Sequence, residues 1–269
     1  MKDLTLVIPA KFERDSLPIV LKELEELNLK KIVVIPPYDH ETRQAIKNFD
    51  CEILDQEGEG FGSALIEGIN KVQTKYLCIF NADGSFDPKY LNEMIKLLDT
   101  KCDFVFNSRY FDDGGSDDDT FLTYIGNKFF TLTCKLLFSL KISDVLFTYV
   151  MGKSYAFKKL DLKNTDFTFC IELPVKAKLN KFDCISLPSY ERSRISGKKK
   201  VSGKYFDNMD LEFEKMDADL FSGTAWCFSR PACDEKLDYI FVDEAGQLTT
   251  ADILAISLSA KNVVIIGDQ

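Results

Sequence analysis

Histidine is nearly absent. His40 is the single one in 269 residues, so a zinc protease of the H-E-x-x-H kind and any site with two histidine ligands are excluded. A Ser-His or Cys-His nucleophile would have to use His40, in the polar, turn-like Pro36-Pro37-Tyr38-Asp39-His40. General base work therefore falls to Asp or Glu. No two cysteines have the C-x-x-C spacing, which removes zinc knuckles and thioredoxin motifs. Cys51, Cys78, Cys102, Cys134, Cys170, Cys184, Cys227 and Cys233 read as reduced, buried thiols of a cytosolic protein. Positive charge is not in excess: 34 Lys and Arg against 43 Asp and Glu leave a net charge of −9, which argues against a whole-chain grip on nucleic acid. Long apolar runs are missing too. The most apolar stretch, 129–151, carries Lys135, Lys141 and Asp144 and is too interrupted to span a bilayer. Met1-Lys2-Asp3 leads straight into a strand, which reads as no signal peptide.

What is there is 45% hydrophobic and 29% charged, the balance of a soluble globular chain. The length suggests about two domains. Short runs rich in Val, Ile and Phe (4–8, 32–35, 51–54, 76–80 and 104–106) alternate with amphipathic stretches (16–27, 41–48, 63–72 and 89–98). In the first of these, Leu17, Val20, Leu21, Leu24 and Leu27 share one helical face. Near-continuous apolar strands separated by helices predict an α/β fold, a mostly parallel sheet covered on both sides. Further on, the pattern predicts helix over 124–140, strand over 154–157, helix over 171–179 and strand over 182–187. In such sheets chemistry gathers at the carboxyl ends of the strands. That rule points to 9–13, 36–41, 56–62, 81–87 and 108–110.

Two of these segments carry recognisable patterns. In Asn81-Ala82-Asp83-Gly84-Ser85-Phe86-Asp87-Pro88, oxygen-bearing side chains alternate at Asn81, Asp83 and Ser85. That spacing suits a hard cation bridged to a diphosphate, or equally an Asx-turn that caps the next helix. Gly58-Glu59-Gly60-Phe61-Gly62-Ser63-Ala64 stands between a strand and a helix, where glycines let backbone N–H groups approach phosphate or simply form a flexible turn. It is not G-x-G-x-x-G and follows the third strand, a poor fit to a nicotinamide fingerprint.

Together these segments resemble a family. Val7-Ile8-Pro9-Ala10-Lys11-Phe12-Glu13 resembles the V-I-P-A-x-N-E opening of family 2 glycosyltransferases with the GT-A fold, a Rossmann-like, mostly parallel sheet with flanking helices. Residues 58–68 are similar to their G-x-G-x-x-x-A-x-x-x-G element, and Asn81-Ala82-Asp83 to their D-x-D-type metal motif. Asn107-Ser108-Arg109-Tyr110 resembles the S-R strand end, and Gly126-Asn127 and Asp144 resemble elements of the polyprenyl-phosphate sugar transferases. The resemblance implies an inverting, metal-assisted transfer of a sugar from a nucleotide-diphosphate sugar to a polyprenyl phosphate or a glycan hydroxyl. It implies Mg²⁺ or Mn²⁺ held by Asn81, Asp83 and Ser85. Pro9, Glu13, Gly58, Gly60, Gly62, Asn81 and Asp83 are then expected around the donor. Arg109 contacts phosphate as a guanidinium fork. Asp83, Arg109 and Asp144 become the catalytic candidates, Asp144 orienting or deprotonating the acceptor or serving only as a helix cap. A lipid phosphate needs no base, because its attacking oxygen is already charged; a hydroxyl does. The implied location is cytoplasmic, or peripheral at the inner membrane face, with no nucleic acid for 1–205. The sequence departs from the pattern at Asn81, at Phe12 (usually Asn) and at Pro36-Pro37-Tyr38-Asp39, where D-D-G-S is usual. A module that binds the nucleotide sugar without turning it over is the remaining alternative for this region. The basic run 192–204 reads as a solvated tail or a contact for anionic headgroups.

After about residue 205 the texture changes. Asp243-Glu244-Ala245-Gly246-Gln247 follows the apolar strand 239–242, a Walker B arrangement or merely two surface acids. With Ser222-Gly223-Thr224-Ala225-Trp226 and Gly267-Asp268-Gln269, this stretch resembles superfamily 1 helicases over about 215–269. The P-loop is missing: Gly152-Lys153-Ser154 has Phe147 where the first glycine must stand. The expectation is therefore a transferase-like domain, 1–205, joined to a truncated, inactive helicase-like segment, 206–269. That segment would be a partial RecA-like βαβ piece, with a helix near 249–259 and a strand at 263–266.

Overall fold

The structure, a computed structural model, describes residues 1–195, 228–229, 233–235, 237–242 and 250–265. The chain divides into two compact units, Met1–Lys198 and Lys199–Gln269.

The first unit is built on strands β1 (Leu4–Pro9), β2 (Lys30–Ile35), β3 (Glu52–Asp55), β4 (Tyr76–Ile79), β5 (Phe104–Ser108), β7 (Val150–Lys153) and β8 (Cys184–Pro188). They form one seven-stranded sheet in the order β3-β2-β1-β4-β7-β5-β8. The sheet is parallel except for β7, which runs antiparallel to both β4 and β5. Alternation along β1 sends Leu6 and Ile8 to one face and Val7 to the other. Helices α1 (Leu17–Glu23) and α4 (Leu91–Thr100) supply Leu17, Val20, Leu21, Leu91, Met94 and Leu98 to the first face. On the opposite face α3 (Phe61–Lys71), α6 (Ser154–Lys159) and α7 (Phe169–Leu179) supply Leu65, Ile69, Phe157 and Leu173. Both faces are covered by apolar side chains, which is why the strands read as continuous apolar runs. The remaining elements are α2 (His40–Ile46), α5 (Phe121–Phe138) and a small parallel pair, β6 (Gly115–Ser116) with β9 (Tyr190–Glu191).

One expectation fails. Residues 154–157 are not a strand but the first turn of α6, and the strand lies just before them at Val150–Lys153. Ser-Tyr-Ala-Phe alternates polar and apolar like a strand, yet Ala156 and Phe157 are both buried as neighbours on one helical face. Four residues cannot separate the two periods, and the sheet takes the preceding segment because Gly152 admits Phe104 against its backbone.

In the second unit, β10 (Leu237–Val242) and β11 (Ala260–Ile265) pair in parallel, with α8 (Thr250–Ser257) between them in the chain. Phe228, Cys233, Ile240, Val242 and Ile256 form its small core. The residues of the Walker B-like and helicase-like patterns, 222–226, 243–247 and 267–269, lie outside the described residues.

Candidate active site

The strand order reverses at β1. The chain goes from β1 out to β2 and β3, then returns to lay β4 on the other side of β1. A crevice opens outside the carboxyl ends of strands at such a switch point. The turn after β1 and the Asn81–Ser85 turn after β4 are therefore neighbours.

After β1 the backbone leaves its strand through Phe12 at φ +58°, a left-handed conformation that an aromatic residue rarely adopts. The Phe12 N–H donates to Asp39 Oδ2 (2.6 Å), and Asp39 Oδ1 accepts from the Thr42 N–H (3.1 Å) at the start of α2. The Thr42 hydroxyl in turn accepts from the Glu13 N–H (2.9 Å), and Ser16 Oγ donates to Glu13 Oε2 (2.7 Å). Glu13 is thus held by Thr42 and Ser16 in the turn that follows β1. Asp39 is spent on backbone and is nearly fully buried.

After β4, Asp83 folds into an Asx-turn. Its Oδ1 accepts from the Ser85 N–H (3.0 Å) and the Ser85 hydroxyl (2.7 Å), while Asn81 Nδ2 donates to Ser85 Oγ (3.2 Å). Ser85 is completely buried, so its oxygen orients Asp83 from beneath. The other carboxylate oxygen, Asp83 Oδ2, lies 3.3 Å from Arg194 Nη1. Among the described residues no group of three His, Cys, Asp or Glu converges on a metal position. The turn supplies one carboxylate oxygen and the Asn81 amide oxygen. This donor set fits a hard cation that takes its remaining ligands from water and substrate phosphate.

Arg109, Asp144 and Glu191 form the second cluster. Arg109 donates through Nε (2.8 Å) and Nη2 (3.1 Å) to the two oxygens of Asp144, and through Nη1 to Glu191 Oε2 (3.2 Å). Its guanidinium also stacks over the Tyr110 and Phe147 rings. Burial disfavours the Arg109 charge, but Asp144 and Glu191 outweigh it and hold the group more firmly protonated than usual. Burial pushes the Glu191 carboxyl up, against the pull of Arg109 and the Ser116 hydroxyl. Asp144 is 1% exposed, with both oxygens engaged by Arg109. Beside this cluster lies a cavity of about 410 Å³ lined by Arg109, Tyr110, Ser116, Asp119, Tyr124 and Lys128.

The glycine element packs closely against a neighbouring backbone. A Cβ on Gly60 or Gly62 would strike the backbone of Asn164, Thr165 or Asp166, and Gly60 has φ +97°. The Gly58 N–H donates to Glu67 Oε1 (3.0 Å), and Ser63 Oγ donates to the same oxygen (2.7 Å). The glycines bring α3 close to the 164–166 backbone, and the Glu67 carboxylate takes the Gly58 amide.

The residues that sequence reasoning missed follow β8. Arg192 ties this segment to the Asp83 turn: its N–H donates to the Ser85 carbonyl (2.9 Å), Nε to Gly84 (3.1 Å) and Nη2 to Phe86 (2.6 Å). The Ile195 N–H donates to the Asp83 carbonyl (2.9 Å), and Gly84, at φ +83°, leaves room for the Ile195 side chain. Arg192 and Arg194 are therefore not part of a solvated tail. The signal was available, since Glu191, Arg192 and Arg194 stand just past the carboxyl end of a strand.

This arrangement is that of an α/β, GT-A-like fold, with an acidic turn at the switch point and basic groups around it. Residues 5–161, more than half the chain, match the model for glycosyl transferase family 2, and the chain belongs to that family. An uncharacterized glycosyltransferase of Mycobacterium tuberculosis is 28% identical over 105 residues, 39% of this chain and 48% of that protein, so the chain spans about half the length of this relative. The polyprenol monophosphomannose synthase of Mycolicibacterium smegmatis is 22% identical over 74% of this chain and 80% of its own. Among solved structures, mannosyl-3-phosphoglycerate synthase from Rubrobacter xylanophilus overlays with a TM-score of 0.58 at 12% identity, over 82% of this chain and 77% of that one. Glucosyl-3-phosphoglycerate synthase from M. tuberculosis, in complex with Mn²⁺, UDP and glucosyl-3-phosphoglycerate, overlays with a TM-score of 0.56 at 13% identity, over 73% and 72%. These likenesses concern the fold.

Proposed function

We propose that the first unit transfers a sugar from a nucleotide-diphosphate sugar to a polyprenyl phosphate, with inversion and with Mg²⁺ or Mn²⁺. The carrying observation is Asp83 at the switch point, with one oxygen fixed by Ser85 and the other facing a guanidinium. Asp83 and Asn81 would hold the cation, with Ser85 orienting Asp83. When bound, the cation neutralises charge developing on the departing diphosphate. Arg194 stands where it can exchange its pairing with Asp83 for the same diphosphate. Glu13, fixed by Ser16 and Thr42, lines the donor side near Pro9. The bond from the sugar's anomeric carbon to the nucleotide diphosphate breaks, the diphosphate leaves with the electron pair, and an acceptor oxygen forms the new bond from the opposite face.

Asp144 supports a phosphate acceptor over a glycan hydroxyl. Both its oxygens are spent on Arg109, so it is poorly placed to take a proton, and a phosphate oxygen needs none removed. The relation to a polyprenol monophosphomannose synthase points the same way. The cavity beside Arg109 is the natural seat for the acceptor phosphate. In the second unit, the parallel pair β10–β11 joined through α8 supports the partial RecA-like reading of 206–269. Without a P-loop that segment does not hydrolyse ATP.

Thermal shift of the whole chain with UDP- and GDP-sugars, each with Mg²⁺ or Mn²⁺, tests the reading, with ATP alongside. One nucleotide sugar should raise the melting temperature only with metal, a stabilisation of about 2.7 kcal/mol at a hundredfold excess over Kd. Asp83→Ala should abolish the shift and lower turnover by about 10²-fold or more. A shift with ATP alone would overturn it.

A further inference from the structure

Helix α5 is built inside out. The face turned to the protein carries Asn127, Thr131 and Cys134, at i, i+4 and i+7. Thr131 and Cys134 are each only 4% exposed. Asn127 Nδ2 donates to the Tyr110 hydroxyl (2.9 Å), and Thr131 Oγ1 accepts from the Val145 N–H (3.3 Å). The opposite face carries Ile125, Phe129, Leu132 and Leu136, at i, i+4, i+7 and i+11. These are 47%, 70%, 53% and 74% exposed, and Leu137 adds 71%. A surface helix of a globular protein buries its apolar stripe and exposes the polar one. A contiguous exposed apolar stripe of this length marks an interaction surface.

Charge selects the occupant. From Phe121 to Ser143 there are three lysines (Lys128, Lys135, Lys141) and no acid, in a chain whose net charge is −9. Lys128 and Lys135 are seven residues apart, on one flank of the apolar stripe; the Lys128 ammonium sits over the Tyr124 ring (4.8 Å), and long lysine stems of this kind can follow an apolar surface while the charge meets headgroups. A second copy pairing α5 against α5 would set the same lysines against one another, like charge on like. An anionic lipid surface gains both, apolar burial below the headgroups and ammonium–phosphate contact at them. No helix among the described residues is long and apolar enough to cross a membrane, so α5 would lie in the plane of the interface.

We infer that α5 is a membrane-docking helix that seats this domain on an anionic lipid surface through Ile125, Phe129, Leu132 and Leu136. The inference rests on the lipid-phosphate reading of the acceptor. Tyr124 and Lys128, in the first half of α5, also line the cavity beside Arg109, so docking brings that cavity to headgroup level.

The test is co-sedimentation of the full chain with vesicles of phosphatidylcholine, with and without phosphatidylglycerol, in low and high salt. The expected result is binding that requires phosphatidylglycerol and weakens with salt. Phe129→Gln/Leu136→Gln should weaken binding about tenfold or more, and Lys135→Gln/Lys141→Gln should weaken it less and flatten the salt dependence. The first double variant should keep the nucleotide-sugar thermal shift, which shows that it folds. Failure of the native chain to bind anionic vesicles overturns the inference, as does a dimer in sedimentation equilibrium that Phe129→Gln/Leu136→Gln dissolves while vesicle binding persists. A donor shift without vesicle binding sinks the docking and leaves the transferase; vesicle binding without any donor shift does the reverse.

Discussion

At the scale of single residues, the chemistry depends on charges that have left water. Arg109 and its two carboxylates are nearly buried, so removing one partner strands the others, whereas exposed pairs such as Arg14–Glu41 carry little weight. Glu191 makes this visible in pH. Its folded pKa is raised above the ordinary 4.5, so protonation favours the folded state. That contribution is fully present below the unfolded pKa and is lost as pH rises through the folded one. Glu191→Gln should therefore show a flatter decline of stability above about pH 4.5 than the native chain, measured by denaturant melts across pH. An equal slope in both proteins would refute the assignment. Phe12 shows the same scale from the backbone side. The left-handed turn after β1 suits Asn, the residue the family opening usually carries there, and here an aromatic residue is held in it by Asp39.

At the scale of elements, the sheet decides how close each helix may come. Gly68 on α3 faces Val7 and Val34, and a methyl group there would lie 2.4 Å from Val7 Cγ1 and 3.1 Å from Val34 Cγ2. Both valines are fully buried in the central strands and cannot step aside. Gly68→Ala should lose about 1–3 kcal/mol to overpacking, against a helix-propensity gain of about 1 kcal/mol, for a net fall in melting temperature. An unchanged or higher melting temperature would mean that α3 can shift on the sheet. The family-like spacing of glycines over 58–68 is thus explained by packing: Gly60 and Gly62 against the 164–166 backbone, Gly68 against β1 and β2.

At the scale of the whole molecule, the first unit holds a complete sheet, both cores and every residue of the candidate site, with Arg192 and Arg194 closing it. A chain ended at Lys198 should therefore fold, melt cooperatively and keep the metal-dependent nucleotide-sugar shift of the full chain; loss of that shift would mean the site needs residues beyond 198. By themselves the residues were enough for the alternation of strands and helices, the two-sided burial, and the turns at 9–13 and 81–87. All of these are local periodicities or short motifs, and local propensity and patterning act within a few residues. Arg109, too, was legible as a candidate. What only the tertiary structure decided is who partners whom over long separations. It put Arg109 between Asp144 and Glu191 and Arg194 on Asp83, it gave Ser85 to orientation, and it placed the antiparallel β7 where a strand was expected a few residues later. It also decided which face of α5 turns inward. A hydrophobic stripe reads the same whether it packs on a sheet or faces outward, because periodicity records the stripe and not its neighbour.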